Sequence, residues 1–157
     1  MFVCVENAGR SQMAEAFAKK YGLDANSAGT VPARTINPTV VEVMKEKGLD
    51  LSGSTPTILT VAMVEIADLV ITMDCSVETV CPKPILAKMQ KKIVDWNLQD
   101  PKEQPIEKVR IIRDEIERRV KKLSSTKLIL SPEGHVENPS FSNGKHSFFV
   151  QNLIFPS

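Results

Sequence analysis

The sequence has little of several things that usually advertise a function. Histidine occurs only at His135 and His146, both in a stretch punctuated by Pro, Gly, Asn and Ser and too isolated to form a metal site. The three cysteines, Cys4, Cys75 and Cys81, are too few for a disulfide framework and read instead as reactive, metal-binding or buried thiols. Charge of one sign is also missing, since 20 Lys and Arg face 19 Asp and Glu for a net +1. That balance gives no general attraction to nucleic acid or acidic membranes, so partners have to be argued from sites. No apolar run approaches the roughly 18 residues of a membrane span. The few residues ahead of Cys4 cannot make a secretion signal, and a cytoplasmic chain with no nucleic-acid and no membrane partner is expected.

What is present is an alternation of extended and helical patterns. The apolar run FVCV precedes the amphipathic QMAEAFAKKYG, in which Met13, Phe17 and Tyr21 share a face. LDANSAGTVP is extended. NPTVVEVMKEKG opens with Asn37 as N-cap and Pro38 at the first helical position, and Val40, Val41 and Met44 are expected to face inward. Thr60 caps a further short helix with Glu65 near its end, and DLVITMD reads as a strand buried on both faces. KKIVDW is another strand. PIEKVRIIRDEIERRVKKL is a long helix with Ile106, Val109, Ile112, Ile116, Val120 and Leu123 on one stripe. Strands separated by helices pair in parallel, which predicts an α/β fold arranged as a three-layer sandwich over residues 1–123. Residues 124–157 lack a helical period and are expected to be an irregular C-terminal tail with no assigned chemistry.

In such sheets ligands sit beyond the carboxyl ends of the strands. Cys4 to Ser11, spelled CVENAGRS, spans one such end. A loop entering a helix offers unpaired backbone N–H groups and the positive end of the helix dipole, so Val5, Glu6, Asn7, Ala8, Gly9, Arg10 and Ser11 are candidates for binding an oxyanion. Gly9 lets the backbone curl, Asn7 tolerates a left-handed conformation, and the Arg10 fork grips two oxygens at once. The same donors favour a Cys4 thiolate at neutral pH, lying beneath the anion it attracts. A thiolate attacking a tetrahedral oxyanion expels an oxygen, which leaves more readily when a carboxyl protonates it. Asp100, in QDP, is a candidate acid, although Asp-Pro also forms ordinary turns. The C-x5-C spacing of Cys75 and Cys81 matches no common zinc pattern, and the two are either buried thiols or a redox relay.

CVENAGRSQMAEAF resembles the nucleophile loop of the low-molecular-weight protein tyrosine phosphatase superfamily. RSQMAEAFAKKYG, SAGT at 27–30, INP at 36–38 and DWNLQDP at 95–101 resemble its thioredoxin-coupled arsenate reductase branch. The resemblance implies a four-stranded parallel sheet of flavodoxin-like kind, with Cys4 as nucleophile, Arg10 as oxyanion clamp and Asp100 as general acid. It further implies that Cys75 attacks the Cys4–arsenic adduct and that Cys81 then forms a Cys75–Cys81 disulfide reduced by thioredoxin. Reducing As(V) takes two electrons from thiols, and three cysteines suffice by disulfide exchange. In the family the interval between the relay cysteines is slightly longer, and counting back from CP places Asp74 at the earlier position. Some relatives bind potassium, and Asn7, Glu15, Ser27 and Asp68 fall at the matching positions as an optional site, with no tightly bound cofactor expected. The substrate implied is arsenate or phosphate. QDPKEQP offers no aromatic residue to grip tyrosine, which favours a small inorganic oxyanion over the alternative, a phosphatase acting through a Cys4 phosphoenzyme. A third reading is a non-catalytic anion-binding domain that uses the tail as a contact surface.

Overall fold

A computed structural model describes residues 1–74, 81–89 and 92–130. Four strands, β1 (Phe2–Cys4), β2 (Ser27–Gly29), β3 (Val70–Thr72) and β4 (Ile93–Asp95), form one sheet in the order β2-β1-β3-β4. Every pairing is parallel, with Phe2 opposite Ser27 on one side and Ile71 on the other, and Val70 opposite Ile93. The five described helices are α1 (Arg10–Lys20), α2 (Pro38–Lys45), α3 (Val61–Ile66), α4 (Lys83–Met89) and α5 (Ile106–Leu130).

Side-chain alternation along the strands builds the three layers. Phe2, Cys4, Ile71 and Met73 pack with Met13 and Phe17 of α1, Val40 and Met44 of α2, and Val109, Ile112 and Ile116 of α5. Val3, Ala28 and Val70 point the other way and meet Val64 of α3 and Ile85 of α4. The expected four-stranded parallel α/β sandwich is therefore the observed one. Two caps also form as the sequence implies: the Asn37 side chain accepts from Thr39 N–H and the Thr60 side chain from Met63 N–H.

Two local expectations change. In α2 the inward face is Val40, Val43 and Met44, at i, i+3 and i+4, and Val41 only flanks the core. Helix α5 continues through residues 124–130, which the sequence suggests are part of an irregular tail. The hydroxyls that make SST look like a breaker are absorbed. Ser124 is buried and donates to the Tyr21 carbonyl at 2.7 Å, while Ser125 and Thr126 donate back to the Lys121 and Lys122 carbonyls four residues earlier. Residues 131–157, with His135 and His146, lie outside the described residues.

Helix α5 is fastened to the end of α1 by a charged cluster. Tyr21 Oη donates to Glu117 Oε1 at 2.7 Å, and Lys47 Nζ reaches Glu117 Oε2 at 2.9 Å. Burial opposes ionisation of Glu117, but the Tyr21 and Lys47 hydrogen bonds and the charges of Lys47 and Lys121 outweigh it and hold its carboxyl at about 2, below the ordinary 4.5. A carboxylate with a depressed folded pKa contributes stability that is present above about pH 4.5 and lost as pH falls toward 2. Tyr21→Phe removes one hydrogen bond to this charge and should lower unfolding free energy by about 1.5 kcal/mol in urea melts at pH 7. The same variant should lose less than the native protein between pH 4.5 and pH 2, because Glu117 is then less depressed; an unchanged acid slope would show the cluster to be idle.

Candidate functional site

The segment from Cys4 to Ser11 closes on itself because its carbonyls are spent elsewhere. The carbonyls of Val5, Glu6 and Ala8 accept from the backbone N–H groups of Val31, Ala33 and Asn37 at 2.8 to 2.9 Å. In a planar trans peptide the N–H points opposite to the C=O, so the amides of Glu6, Asn7 and Gly9 are turned to the inside of the loop. The Asn7 amide is seen doing this, donating to Cys4 Sγ at 3.1 Å. The sequence thereby makes a ring of donors at the carboxyl end of β1, where α1 begins.

Asn7 braces the ring. Its φ of 50° is left-handed, and its side chain is wholly buried. Nδ2 donates to Ser11 Oγ at 2.7 Å and Ser27 Oγ at 2.9 Å, while Oδ1 accepts from Gln12 Nε2 and from the Thr57 N–H. Ser11 Oγ, which accepts from Asn7, lies 2.8 Å from Cys4 Sγ, so its own O–H is available to the sulfur. The Ser11 hydroxyl and the Asn7 backbone N–H both converge on Cys4 Sγ, and Cys4 is only 4% exposed. Gly29 of β2 explains the SAGT motif: a Cβ there would lie 2.6 Å from the Val5 carbonyl oxygen and 2.9 Å from Asn7 N, both of them backbone.

Arg10, the first residue of α1, is buried and held from one side. Its Nη1 donates to Asp74 Oδ2 at 2.7 Å and to the Leu98 carbonyl at 2.6 Å, which uses both Nη1 hydrogens. Nη2 lies 3.4 Å from Asp100 Oδ2. Asp100 sits on the loop between β4 and α5, where its Oδ1 accepts from Lys102 N–H, and Pro101 packs so close to Gly9 that a Cβ on Gly9 would be 2.9 Å from the proline ring. Cys4, Arg10, Asp74 and Asp100 all line one cavity of about 320 Å³. No aromatic side chain lines it among the described residues.

The structure thus brings together Cys4, the loop through Ser11, Arg10 and Asp100 as the sequence suggests. Asp74 is the residue that sequence reasoning did not assign; its signal was position, two residues beyond β3 at the carboxyl edge that carries Cys4. Cys81 is elsewhere. It is 8% exposed among Val3, Leu59, Val64 and Ile85, on the sheet face opposite Cys4, and burial pushes its thiol up from the ordinary value. Cys75 lies outside the described residues. Of the residues at the potassium positions, Asn7, Ser27 and Glu15 form one hydrogen-bonded chain, with Glu15 paired to Lys19 at 2.6 Å. Asp68 is on the loop ahead of β3, at the opposite end of the strand from the cavity.

Gly29→Ala tests the brace. Because the atoms in the way are backbone, the loop itself must move, and inorganic phosphate binding measured by calorimetry should weaken at least about tenfold while far-UV circular dichroism stays native. Native affinity in this variant would show that the loop geometry does not depend on β2.

Comparison with known proteins fits this geometry. A family model described as low molecular weight phosphotyrosine protein phosphatase matches residues 1–130. An arsenate reductase of Brevibacillus brevis is 36% identical over 128 residues, covering 80% of this chain and 92% of its own. Among solved structures, an arsenate reductase in the phosphate binding state superposes with a TM-score of 0.69 at 35% identity, covering 80% of this chain and 95% of its own. The thioredoxin-dependent arsenate reductase of Corynebacterium glutamicum gives 0.65 at 34%, covering 83% and 61%. The arginine phosphatase YwlE of Geobacillus stearothermophilus gives 0.76 at 25%, covering 87% and 97%. With Cys4, Arg10 and Asp100 around one cavity and a family model matching residues 1–130, the chain belongs to the low molecular weight phosphotyrosine protein phosphatase family.

Proposed function

We propose that the protein is an arsenate reductase that takes its electrons from its own thiols and is recycled by thioredoxin. The observation that carries the reading is the Cys4 and Arg10 site in a cavity without aromatic walls among the described residues, which suits a small tetrahedral oxyanion better than an aryl ester. Relatives named arsenate reductases, one of them an arsenate reductase in the phosphate binding state, support it. The thioredoxin dependence stated for the Corynebacterium glutamicum protein supports the choice of reductant.

In the proposed reaction arsenate enters against the Glu6, Asn7 and Gly9 amides. With Nη1 engaged by Asp74 and Leu98, the remaining edge of Arg10 faces the anion. The Cys4 thiolate attacks arsenic, and Asp100 gives a proton to the departing oxygen, which leaves as water once fully protonated. The Cys75 thiolate then attacks Cys4 sulfur; the arsenic–sulfur bond breaks, its electron pair returns to arsenic, and As(III) departs as arsenite. Cys81 attacks Cys75 in the resulting Cys4–Cys75 disulfide, freeing Cys4 and leaving a Cys75–Cys81 disulfide for thioredoxin. This last exchange requires Cys81 to leave its apolar surroundings and to lose its proton outside them. Potassium has no part in the proposal: Asn7 presents nitrogen to Ser27, its oxygen is committed to Gln12 and Thr57 N–H, and Lys19 supplies the counter-charge of Glu15.

The second reading is a phosphatase that hydrolyses a Cys4 phosphoenzyme with water, favoured by the superposition on an arginine phosphatase. Arsenite formation from arsenate with a thioredoxin system distinguishes the two. Native protein should turn over, Cys4→Ser should be inactive, and Cys75→Ser and Cys81→Ser should each lose at least about a hundredfold in turnover while retaining phosphate binding. Absence of arsenite together with phosphate-ester cleavage that survives Cys75→Ser and Cys81→Ser would establish the phosphatase.

A further inference from the structure

The nucleophile loop carries a carboxylate, Glu6, two residues from Cys4 and on the wall of the anion cavity. A negative side chain there opposes the very ligand that the loop amides attract. Its partner is on the other wall. Lys102 Nζ lies 2.8 Å from Glu6 Oε1, and Lys102 is also the residue whose backbone N–H is accepted by Asp100 Oδ1. The ammonium and the acid therefore ride on one turn. That turn is bounded by residues in left-handed conformations, Asn97 at φ 46° and Glu103 at φ 58°, and Pro101 within it rests against Gly9. Besides the Arg10 contacts with Leu98 and Asp100, the acid loop is thus fastened to the nucleophile loop by a ring against the glycine beside Arg10 and by an ion pair beside Cys4.

We infer that the Glu6–Lys102 pair is a positioning latch, which holds Asp100 over the anion site and cancels a charge that would otherwise repel the oxyanion. The side chains of Glu6 and Lys102 pair with each other rather than with Cys4 or Arg10, so their effect passes through the loop and the local field. The pair is half-exposed, and its worth lies in geometry and charge balance rather than in folding stability. The inference rests on the site assignment of Cys4, Arg10 and Asp100, but holds whether arsenate or a phosphate ester is the substrate.

The test uses Lys102→Met, which keeps the stem and removes the charge, Glu6→Gln, and the double variant. Inorganic phosphate affinity is read by calorimetry and amide hydrogen exchange over 97–104 by mass spectrometry, neither of which depends on turnover. Lys102→Met should weaken phosphate about three- to tenfold, Glu6→Gln should tighten it by a similar factor, and the double variant should return to within about twofold of native. Exchange over 97–104 should be faster in all three, because the latch is broken in each, and should slow again in the charge-swapped pair Glu6→Lys with Lys102→Glu. Arsenate turnover, if the reductase reading is right, should fall in the double variant although its affinity is restored. Equal weakening of phosphate binding in Glu6→Gln and Lys102→Met, or unchanged exchange in Lys102→Met, overturns the inference; loss of arsenate turnover in the native protein alone overturns only the reductase reading.

Discussion

The amide of Asn7 is the point on which the site depends. A left-handed residue in the middle of the Cys4–Ser11 loop has to be held against its own backbone preference, and Asn7 is held at both ends of its side chain. Its nitrogen reaches α1 through Ser11 and β2 through Ser27, and its oxygen takes Gln12 and the Thr57 N–H. Donors and acceptor are matched, so the wholly buried amide carries no unmet hydrogen-bonding demand. The brace reaches Cys4 as well, since the Ser11 hydroxyl and the Asn7 backbone N–H both converge on its sulfur.

Around this fixed ring the charges are arranged in opposition. Arg10 is buried, which requires a counter-charge, and Asp74 supplies the shorter ion pair while the Leu98 carbonyl accepts the other Nη1 hydrogen. Nη1 is fully engaged by Asp74 and Leu98, and Asp100 pairs with Nη2 at the longer distance of 3.4 Å. Asp74 lies two residues beyond β3 and Leu98 three beyond β4, so Arg10 is oriented by the segments that follow the two strands on one side of β1. The parallel order β2-β1-β3-β4 is thus part of the site, because it delivers every one of these groups to a single edge of the sheet.

The parts of this arrangement that were legible beforehand share a property: they are local. The strand-to-helix passage CVENAGRS, the caps Asn37 and Thr60, and the apolar stripe of α5 each depend on residues close in the chain. Val43 was missed because three valines and a methionine in PTVVEVMK allow two adjacent helical phases, and only packing against α5 chooses between them. The helical run at 124–130 was missed because Ser124 finds its acceptor on Tyr21, 103 residues away. Hydroxyls that compete with a helix in isolation became part of it.

The sequence by itself determined the chemistry available: a cysteine and an arginine at C-x5-R spacing, a loop able to curl, and an aspartate fixed before a proline. Spacing can do this because two residues that share one loop need no distant partner to meet. Only the tertiary structure decided that Asp74 holds Arg10, that Lys102 answers Glu6 across the cavity, and that Cys81 lies beneath the far face of the sheet. Those relations join residues separated by 64 and 96 positions, or by the thickness of the sheet, and they exist only once four strands have paired in one order.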